Sequence, residues 1–200
     1  MKRLLDCTAS LLGLLLLSPL FLLVAMLVKL DSPGPVLFRQ ERVGRGFRLF
    51  RILKFRSMRL EEGTPITAGQ DSRITRMGKF LRRTKIDELP QLVNVLAGDM
   101  SLVGPRPEIR EYVAMFSDDY AKILRVRPGI TDLASLAYSD EASALSRSPD
   151  PEGAYIERIL PRKIALAHQY LASASLGFDL RLIFRTFARL GAVNRNESTN

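Results

Sequence analysis

Hydrophobic residues are concentrated at the start of the chain. Residues 4–30 read LLDCTASLLGLLLLSPLFLLVAMLVKL, which exceeds the roughly 20 apolar residues that a membrane helix needs. The run is too long for the core of a signal peptide, and no small-residue cleavage site follows it, so we expect the chain to keep it. The pattern predicts a membrane segment over residues 1–30 and a separate domain over residues 31–200.

Basic residues flank this segment on both sides, with Lys2 and Arg3 before it and arginines from Arg39 onward after it. A straight span would leave one basic flank on the wrong side of the membrane. Near the middle, Ser18-Pro19 permits a bend, since proline removes a backbone hydrogen bond and a nearby hydroxyl can satisfy the freed carbonyl. Two arms of about a dozen residues reach only about 18 Å each, short of the roughly 30 Å hydrocarbon core. We therefore expect a re-entrant helix with both ends on the cytoplasmic face; an ordinary span with a tolerated proline is the alternative.

Two charges also lie at the head of the apolar run. Arg3 and Asp6 are three residues apart, a spacing that places them on one face of a helix. We expect them to pair there.

A breaker cluster, DSPGP at 31–35, ends the membrane segment, and a basic stretch follows it. VLFRQERVGRGFRLFRILKFRSM, with Gly44 and Gly46 near its middle, predicts two short strands joined by a glycine turn. A cation recurs at every third position, which matches neither strand nor helix, so these side chains cannot all share one face. We expect some of them to meet lipid phosphates, and Lys54 and Arg56 to point toward a site; a solvated charged surface is the alternative.

Helical periodicity returns after EEGTPITAGQDS at 61–72, a polar loop long enough to act as a lid. It appears first in ITRMGKFLRR and then in an apolar face that starts at Ile86 and is closed by Gly98. Pro90 is tolerated within the first turn of a helix but not deeper, so this second helix is expected to begin near Ile86 to Glu88. Asp87 would then lie at or beside its N-cap.

Three later stretches also have helical patterns: EIREYVAMFSDDYAKIL, PEGAYIERILPRKIALAHQYLA and GFDLRLIFRTFARL. The last carries apolar residues on one face and arginines on another, which suits an amphipathic helix in the membrane interface. A core helix with a basic outer face is the alternative. Together with the basic strands, these helices predict a mixed α/β, helix-rich fold.

The net charge and the scarcity of cysteine and histidine limit the kinds of partner and of chemistry that the chain can support. The formal net charge is +9, which favours anionic partners such as nucleic acid, anionic lipid or phosphorylated small molecules. One cysteine, Cys7, and one histidine, His168, exclude a disulfide framework and leave almost no material for a zinc site or a histidine-based triad. We interpret both as packing residues. Acid-base or nucleophilic chemistry must then use carboxylates, lysines or hydroxyls.

The adjacent acids Asp87 and Glu88 are the strongest candidates for such chemistry. A capping role and the helix dipole would explain them without any function. However, RRTK lies just upstream, a helix N-terminus is itself an anion site, and the turn Gly104-Pro105-Arg106-Pro107 presents one guanidinium. Cations together with a carboxylate predict phosphoryl chemistry, in which an Asp can act as covalent nucleophile and Mg²⁺ binds one or two carboxylates plus substrate phosphates.

KFRSM, FLRRTKIDELPQLVNVLAGDMSLVGPRP and VRPGIT follow in that order behind a membrane segment that contains Ser-Pro. In this arrangement the chain resembles the monotopic phosphoglycosyl transferases, a family of bacterial sugar transferases, and among them the small branch with a catalytic domain only. The resemblance implies transfer of a phosphosugar from a UDP-sugar to undecaprenyl phosphate, which releases UMP and gives a polyprenyl diphosphate sugar. It further implies an Mg²⁺-dependent enzyme on the cytoplasmic face of the bacterial inner membrane, bound to membrane lipids, at the first membrane step of glycoconjugate synthesis. Downstream glycosyltransferases are possible partners.

The resemblance also assigns roles to residues. It implies that Asp87 is the nucleophile and a metal ligand and that Glu88 is its dyad partner. Ser18 and Pro19 would break the re-entrant helix, and Pro105 and Pro107 would shape the turn around Arg106. The substrate-binding candidates are Lys54, Arg56, Arg82, Arg106 and Arg127.

One segment departs from the family pattern. Where many members continue after RPGIT with GWAQVNGR, this chain reads DLASLAYSDEASA, and the family's nucleotide-contacting arginine falls opposite Ser139. Recognition of uridine must then be built differently, and the sugar, the pathway and the oligomeric state stay open.

Two other functions would also account for the basic charge or the apolar segment. A membrane-tethered nucleic-acid-binding protein would need stacking aromatics or a recognition helix, and the sequence indicates neither, so we expect no nucleic-acid partner. A non-enzymatic lipid-binding scaffold is the other rival, and it would bind membranes without any turnover.

Overall fold

The computed structural model describes residues 1–59, 71–137, 145 and 148–197. Most of the polar loop predicted over 61–72, and Ser139, lie outside these residues. Within them the chain is a helix-rich α/β protein, as the sequence predicts, with two small two-stranded sheets, of which the sequence predicts only the hairpin. The antiparallel sheet consists of β1 (Leu37–Val43) and β2 (Leu49–Phe55), and the parallel sheet of β3 (Ser101–Val103) and β4 (Gly129–Thr131).

Most helices follow the predicted segments, with some subdivided, but the short helix Leu133–Ala137 was not predicted. The α-helices are α1 (Lys2–Leu16), α2 (Ser18–Asp31), α3 (Arg76–Thr84), α4 (Gln91–Ala97), α5 (Arg110–Met115), α6 (Ser117–Ile123), α7 (Leu133–Ala137), α8 (Pro151–Ala154), α9 (Leu160–Ser173) and α10 (Leu176–Glu197). Short 3₁₀ turns cover Arg45–Phe47 and Ile86–Glu88, and a π-helical turn covers Tyr155–Ile159.

The N-terminal apolar segment is broken where Ser18-Pro19 predicts a break. Helices α1 and α2 are bent by 63° across Leu17. Ser18 Oγ donates to the carbonyl of Leu15 at 2.8 Å, and this is the carbonyl that Pro19, four residues on and without an N–H, leaves without its helical donor. Among the described residues, no single helix is both long and apolar enough to cross a membrane, whereas the bent α1–α2 pair meets that criterion when its two arms are taken together.

Helix α1 is fixed to the rest of the protein by charges at its head, but the predicted pairing of Arg3 with Asp6 is wrong. Asp6 is buried and accepts from Ser101 Oγ at 2.8 Å and from the Leu102 amide at 3.2 Å. Arg3 donates to the carbonyl of Val95 at 2.6 Å. Each side chain thus satisfies groups of a neighbouring element. Asp6 accepts from one hydroxyl and one backbone amide of β3, and Arg3 donates to carbonyls at the C-terminal end of α4.

The β1–β2 hairpin separates its cations between two faces. The register pairs Leu37 with Phe55 and Val43 with Leu49, so Arg42 and Lys54 share the inner face with buried Phe50 and Ile52. Arg39 and Arg51 lie on the outer face and are exposed. This confirms that the period-three cations do not form one surface.

Two buried clusters support the middle of the molecule. Phe50 and Ile52 pack with Val95 and Met100 beneath α4. Val24, Val28, Phe55 and Leu81 form a second cluster that joins α2, β2 and α3. A larger cluster among α5, α6, the π-helical turn and α9 forms the other side of the domain.

The prediction that one helix begins near Ile86 to Glu88 is wrong in detail. Those residues form a separate 3₁₀ turn, and α4 starts at Gln91 with Pro90 as its N-cap residue. Asp87 is therefore not the N-cap of α4. Lys85 adopts a left-handed conformation (φ 59°) at the junction with α3, which lets the chain turn into the 3₁₀ segment. Gly98 ends α4 in a left-handed conformation, as the sequence predicts.

The C-terminal half shows one further correction. His168 is not a packing residue, because its partly exposed Nε2 lies 2.8 Å from Asp119 Oδ1. In α10, Leu182 is buried, whereas Leu180, Phe184 and Phe187 are 63, 73 and 69% exposed. This helix therefore has one apolar face in the core and a second apolar face that is open.

Candidate active site

Asp87 and Glu88 are both buried, at 7 and 8% exposure, on the 3₁₀ turn between α3 and α4. A 3₁₀ helix has three residues per turn, so consecutive side chains are separated by about 120° around its axis. The two carboxylates consequently meet different surroundings.

Glu88 is held by two cations from distant parts of the chain. Its Oε1 accepts from Lys54 Nζ at 2.7 Å and from Arg106 Nη2 at 2.8 Å. Burial by itself would raise the pKa of Glu88, but Arg106 and Lys54 overcome that effect and hold the pKa well below its usual range. Glu88 is therefore ionised and fixed in position.

Asp87 has the opposite electrostatic character. Burial, together with the negative charge of Glu88, raises the pKa of Asp87, and Lys54, Lys85 and Arg82 oppose the increase. Asp87 Oδ1 is buried and has no hydrogen-bond partner among the described residues. A buried carboxylate oxygen without a partner is costly, so this oxygen keeps an unused capacity to accept a hydrogen bond or to ligate a metal ion.

Lys54 reaches Glu88 because α4 is joined to the edge of β2. Asn94 Nδ2 donates to the carbonyl of Arg51 at 2.9 Å, and its Oδ1 accepts from the amide of Leu53 at 2.9 Å. The side-chain amide thereby takes the place of a neighbouring strand. Burial lowers the pKa of Lys54, and the charge of Glu88 opposes the decrease. Asn94 was not predicted as a site residue, although a polar residue in the apolar run QLVNVLA was a signal.

Arg106 reaches Glu88 because β3 and β4 approach closely just before the Pro-Arg-Pro turn. A Cβ on Gly129 would lie 2.1 Å from Gly104 N, and a Cβ on Gly104 would lie 2.5 Å from Arg127 O. Only glycine fits at either position. The Gly129 amide then donates to the carbonyl of Pro105 at 2.9 Å, which fixes the turn beside β4.

The far side of the turn is held by the hairpin. Arg42 Nη1 donates to the carbonyl of Pro107 at 3.4 Å and to Glu108 Oε2 at 3.3 Å. Glu108 is buried, and its Oε1 accepts from Tyr155 Oη at 2.7 Å. Pro105 and Pro107 thus lie in a turn that is anchored from both sides.

Two of the five predicted substrate-binding residues are placed elsewhere. Arg56 is 2% exposed, and its Nη2 donates to the carbonyls of Val28 and Ser32 at 3.2 and 2.6 Å, at the end of α2. Arg127 Nε donates to the carbonyl of Gly98 at 2.8 Å, at the end of α4. Guanidinium groups suit these positions because the last carbonyls of a helix lack internal donors and carry partial negative charge. In contrast, Lys54 and Arg106 contact Glu88 directly. Arg82 donates to Met58 Sδ at 3.2 Å, and its charge lowers the pKa of Asp87.

The dyad fits a small oxygen-binding cation only together with a substrate. In the described part of the chain, no group of three or more His, Cys, Asp or Glu side chains could hold a metal ion. Mg²⁺ needs only one or two protein carboxylates when substrate phosphates and water fill the remaining positions. The unpartnered oxygen of Asp87 satisfies that requirement.

Comparisons with a family model and with individual known proteins point to one family. The family model described as bacterial sugar transferase matches residues 1–192. UDP-glucose:undecaprenyl-phosphate glucose-1-phosphate transferase from Caulobacter vibrioides is 42% identical over 195 residues, which cover 94% of this chain and 69% of that protein. Exopolysaccharide production protein PSS from Rhizobium leguminosarum bv. phaseoli is 41% identical over 196 residues, which cover 93% of this chain and 92% of that protein.

Other relatives are considerably longer than this chain. UDP-N-acetylgalactosamine-undecaprenyl-phosphate N-acetylgalactosaminephosphotransferase from Aeromonas hydrophila is 42% identical over 193 residues, which cover 92% of this chain but 42% of that protein. This chain therefore corresponds to less than half of the Aeromonas protein and to nearly all of the Rhizobium protein.

The electrostatics of the dyad lead to a titration experiment. Lys54 lowers the pKa of Asp87, so Lys54→Gln should move the protonation midpoint of Asp87 to higher pH. Nuclear magnetic resonance of protein labelled with ¹³C at the aspartate carboxyl groups would follow it, with Asp87→Asn identifying the signal. Lys79→Gln, at an exposed position of α3, is the matched control and should leave the midpoint in place. A midpoint that is unchanged or lowered in Lys54→Gln would contradict the conclusion that Lys54 lowers the pKa of Asp87.

Proposed function

The chain belongs to the bacterial sugar transferase family, and from this premise we propose that it transfers a phosphosugar from a UDP-sugar to undecaprenyl phosphate. The products are UMP and a polyprenyl diphosphate sugar. The observation that carries the proposal is the pair of contrasting carboxylates, an unpartnered Asp87 oxygen beside a Glu88 that is ionised between two cations. The names of the relatives support the two substrates, because they describe transfer from UDP-glucose or UDP-N-acetylgalactosamine to undecaprenyl phosphate.

In the first step, an oxygen of Asp87 attacks the phosphorus that carries the sugar. A bond forms between that oxygen and phosphorus, and the bridging P–O bond breaks, so UMP leaves with the bonding electrons. The product on the protein is an aspartyl phosphosugar. The attack requires the carboxylate form of Asp87, and Lys54, Lys85 and Arg82 favour that form.

In the second step, a phosphate oxygen of undecaprenyl phosphate attacks the same phosphorus. Asp87 leaves as a carboxylate and is ready for another cycle. Glu88 holds Lys54 and Arg106 in place, and these two cations position the acceptor phosphate. Such a sequence lets a soluble nucleotide sugar and a membrane lipid use one site in turn.

The cations of the site stabilise negative charge on the diphosphate. Arg106 presents a planar group of donors that matches phosphate oxygens, and Lys54 adds a compact charge beside it. When Mg²⁺ is bound, Asp87 would hold it and the ion would neutralise phosphate charge.

The proposal places the chain on the cytoplasmic face of the bacterial inner membrane, with α1 and α2 forming a re-entrant segment. Large apolar side chains of both helices are exposed, among them Leu16 at 78% and Leu22 at 74%. The open face of α10 and the exposed Phe47 and Leu49 of the hairpin provide further apolar contacts. Exposed Arg39 and Arg51 would meet lipid phosphates. Glycosyltransferases that extend the lipid-linked sugar are the expected downstream partners.

The proposed activity is tested by UMP release from a panel of UDP-sugars, with undecaprenyl phosphate and Mg²⁺ present. Asp87→Asn should lower the rate by about 10³-fold or more, because an amide cannot attack phosphorus, and Glu88→Gln by about 10²-fold. Asp118→Asn and Glu111→Gln, at exposed positions of α6 and α5, are the matched controls and should keep wild-type rates. Equal turnover in Asp87→Asn and Asp118→Asn would remove Asp87 from the chemistry.

The re-entrant topology is tested by labelling of single cysteines in a Cys7→Ser background. One cysteine is placed in a short N-terminal extension and the other at position 39 by Arg39→Cys. Both should resist a membrane-impermeant thiol reagent applied from the periplasm and react after permeabilisation. Pro19→Leu should straighten the bend and expose the N-terminal cysteine to the reagent. Periplasmic labelling of the N-terminal cysteine in the unchanged segment would instead establish an ordinary span.

A further inference from the structure

Arg106 is held on both sides of its guanidinium group. Nη2 donates to Glu88 Oε1 at 2.8 Å, while Nη1 donates to Ser135 Oγ at 3.3 Å and lies 4.0 Å from Asp132 Oδ2. Asp132 is 3% exposed. The substrate-binding arginine of the proposed function therefore lies between two buried carboxylates.

Asp132 and Ser135 form a unit at the start of α7. Asp132 Oδ1 accepts from the Ser135 amide at 2.8 Å, and its Oδ2 accepts from the Ser135 hydroxyl. Since the Ser135 hydroxyl donates its hydrogen bond to Asp132, its oxygen lone pairs can accept a hydrogen bond from Arg106. The pair thus joins a helix cap to the guanidinium group.

The β-strands explain why this unit faces Arg106. Asp132 follows β4 directly, and the Pro-Arg-Pro turn follows β3. The parallel register pairs Val103 with Thr131, so both segments leave the small sheet at the same edge. Arg106 and Asp132 also line one pocket.

The segment concerned is the one in which the sequence departs from the common family pattern. The chain reads DLAS after RPGIT where many members read GWAQ. Asp132 and Ser135 therefore lie where this chain departs from that pattern. A long arginine side chain has several rotatable bonds, so fixing its terminal group before substrate binds reduces the entropy lost on binding.

We propose that Asp132, acting through Ser135 and by its own charge, is a positioning residue that fixes Arg106 for the substrate diphosphate. The inference rests on the proposed function and adds to it a positioning residue outside the dyad. A purely structural role is the competing explanation, because Asp132 also caps α7.

The two roles separate in Asp132→Asn, because asparagine caps helices about as well as aspartate but carries no charge. We expect kcat/KM for the UDP-sugar to fall about tenfold in Asp132→Asn and about threefold in Ser135→Ala. Asp150 caps α8 in the same way, through the Gly153 amide at 3.0 Å, so Asp150→Asn is the matched control and should change kcat/KM by less than about twofold.

A double-mutant cycle shows whether Asp132 acts through Arg106. In an Arg106→Gln background, Asp132→Asn should cause no further loss, because the group that it positions is absent. The same tenfold loss in both backgrounds, or no loss in either, would overturn the inference. If the wild-type protein releases no UMP from any UDP-sugar, the proposed function fails, and this inference fails with it.

A measurement that is independent of turnover gives the second readout. In ¹⁵N spectra of arginine-labelled protein, a guanidinium group held on both sides rotates slowly and shows separate Nη signals. Arg106→Lys identifies the signals of Arg106. They should be separate in wild type and merge in Asp132→Asn at the same temperature. Separate signals in both proteins would show that Asp132 does not hold Arg106, whatever the kinetics.

Discussion

The charge of Glu88 is the constraint on which the site depends. A carboxylate this deeply buried is stable only when it is paired. Its partners come from the β1–β2 hairpin, through Lys54, and from the turn after β3, through Arg106. Removal of one partner from a buried pair typically costs about 3–5 kcal/mol, so three distant segments are held in one arrangement. The same charge disfavours ionisation of Asp87, so the pKa values of the two adjacent carboxylates are shifted in opposite directions.

Each partner of Glu88 has its own support, and much of that support passes through α4. Asn94 joins α4 to β2 and so places Lys54. The same helix contacts the N-terminal apolar segment, because Arg3 donates to the carbonyl of Val95 and a Cβ on Gly13 would lie 3.2 Å from Leu92 Cδ1. A single short helix therefore connects the apolar segment with the dyad. In the proposed reaction, this connection keeps the nucleophile at a fixed position relative to the lipid surface.

The sequence predicted features that depend on local chemistry. The hairpin follows from the glycines between two stretches with strand-forming residues. The end of α4 follows from the left-handed conformation that Gly98 allows. The break at Ser18-Pro19 follows from the missing donor of proline, and the Ser18 hydroxyl satisfies the freed carbonyl as expected. These predictions depend only on residues that are neighbours in the sequence, which is why they are confirmed.

Features that depend on distant partners were not predictable in the same way. Arg56 and Arg127 resemble phosphate-binding residues in a basic sequence, but the structure uses them on the carbonyls of helix ends. Arg3 and Asp6 have the spacing of a helical pair, yet each finds a stronger partner in another element. Asp87 was placed at a helix N-cap because Pro90 allows a helix to begin nearby, whereas tertiary packing favours a separate 3₁₀ turn. Asp132 has a visible capping pattern, but its position beside Arg106 depends on the pairing of β3 with β4.

The central claim is that Asp87 carries the phosphosugar between the two substrates. The most direct test is the intact-protein mass after incubation with a UDP-sugar and Mg²⁺ in the absence of undecaprenyl phosphate. The account predicts a mass increase of one phosphosugar, located at Asp87 by peptide mapping, lost on addition of the lipid phosphate and absent in Asp87→Asn. An unmodified mass under every quench condition, in protein that turns over once the lipid phosphate is added, would mean that the lipid phosphate attacks the UDP-sugar directly and would contradict the account.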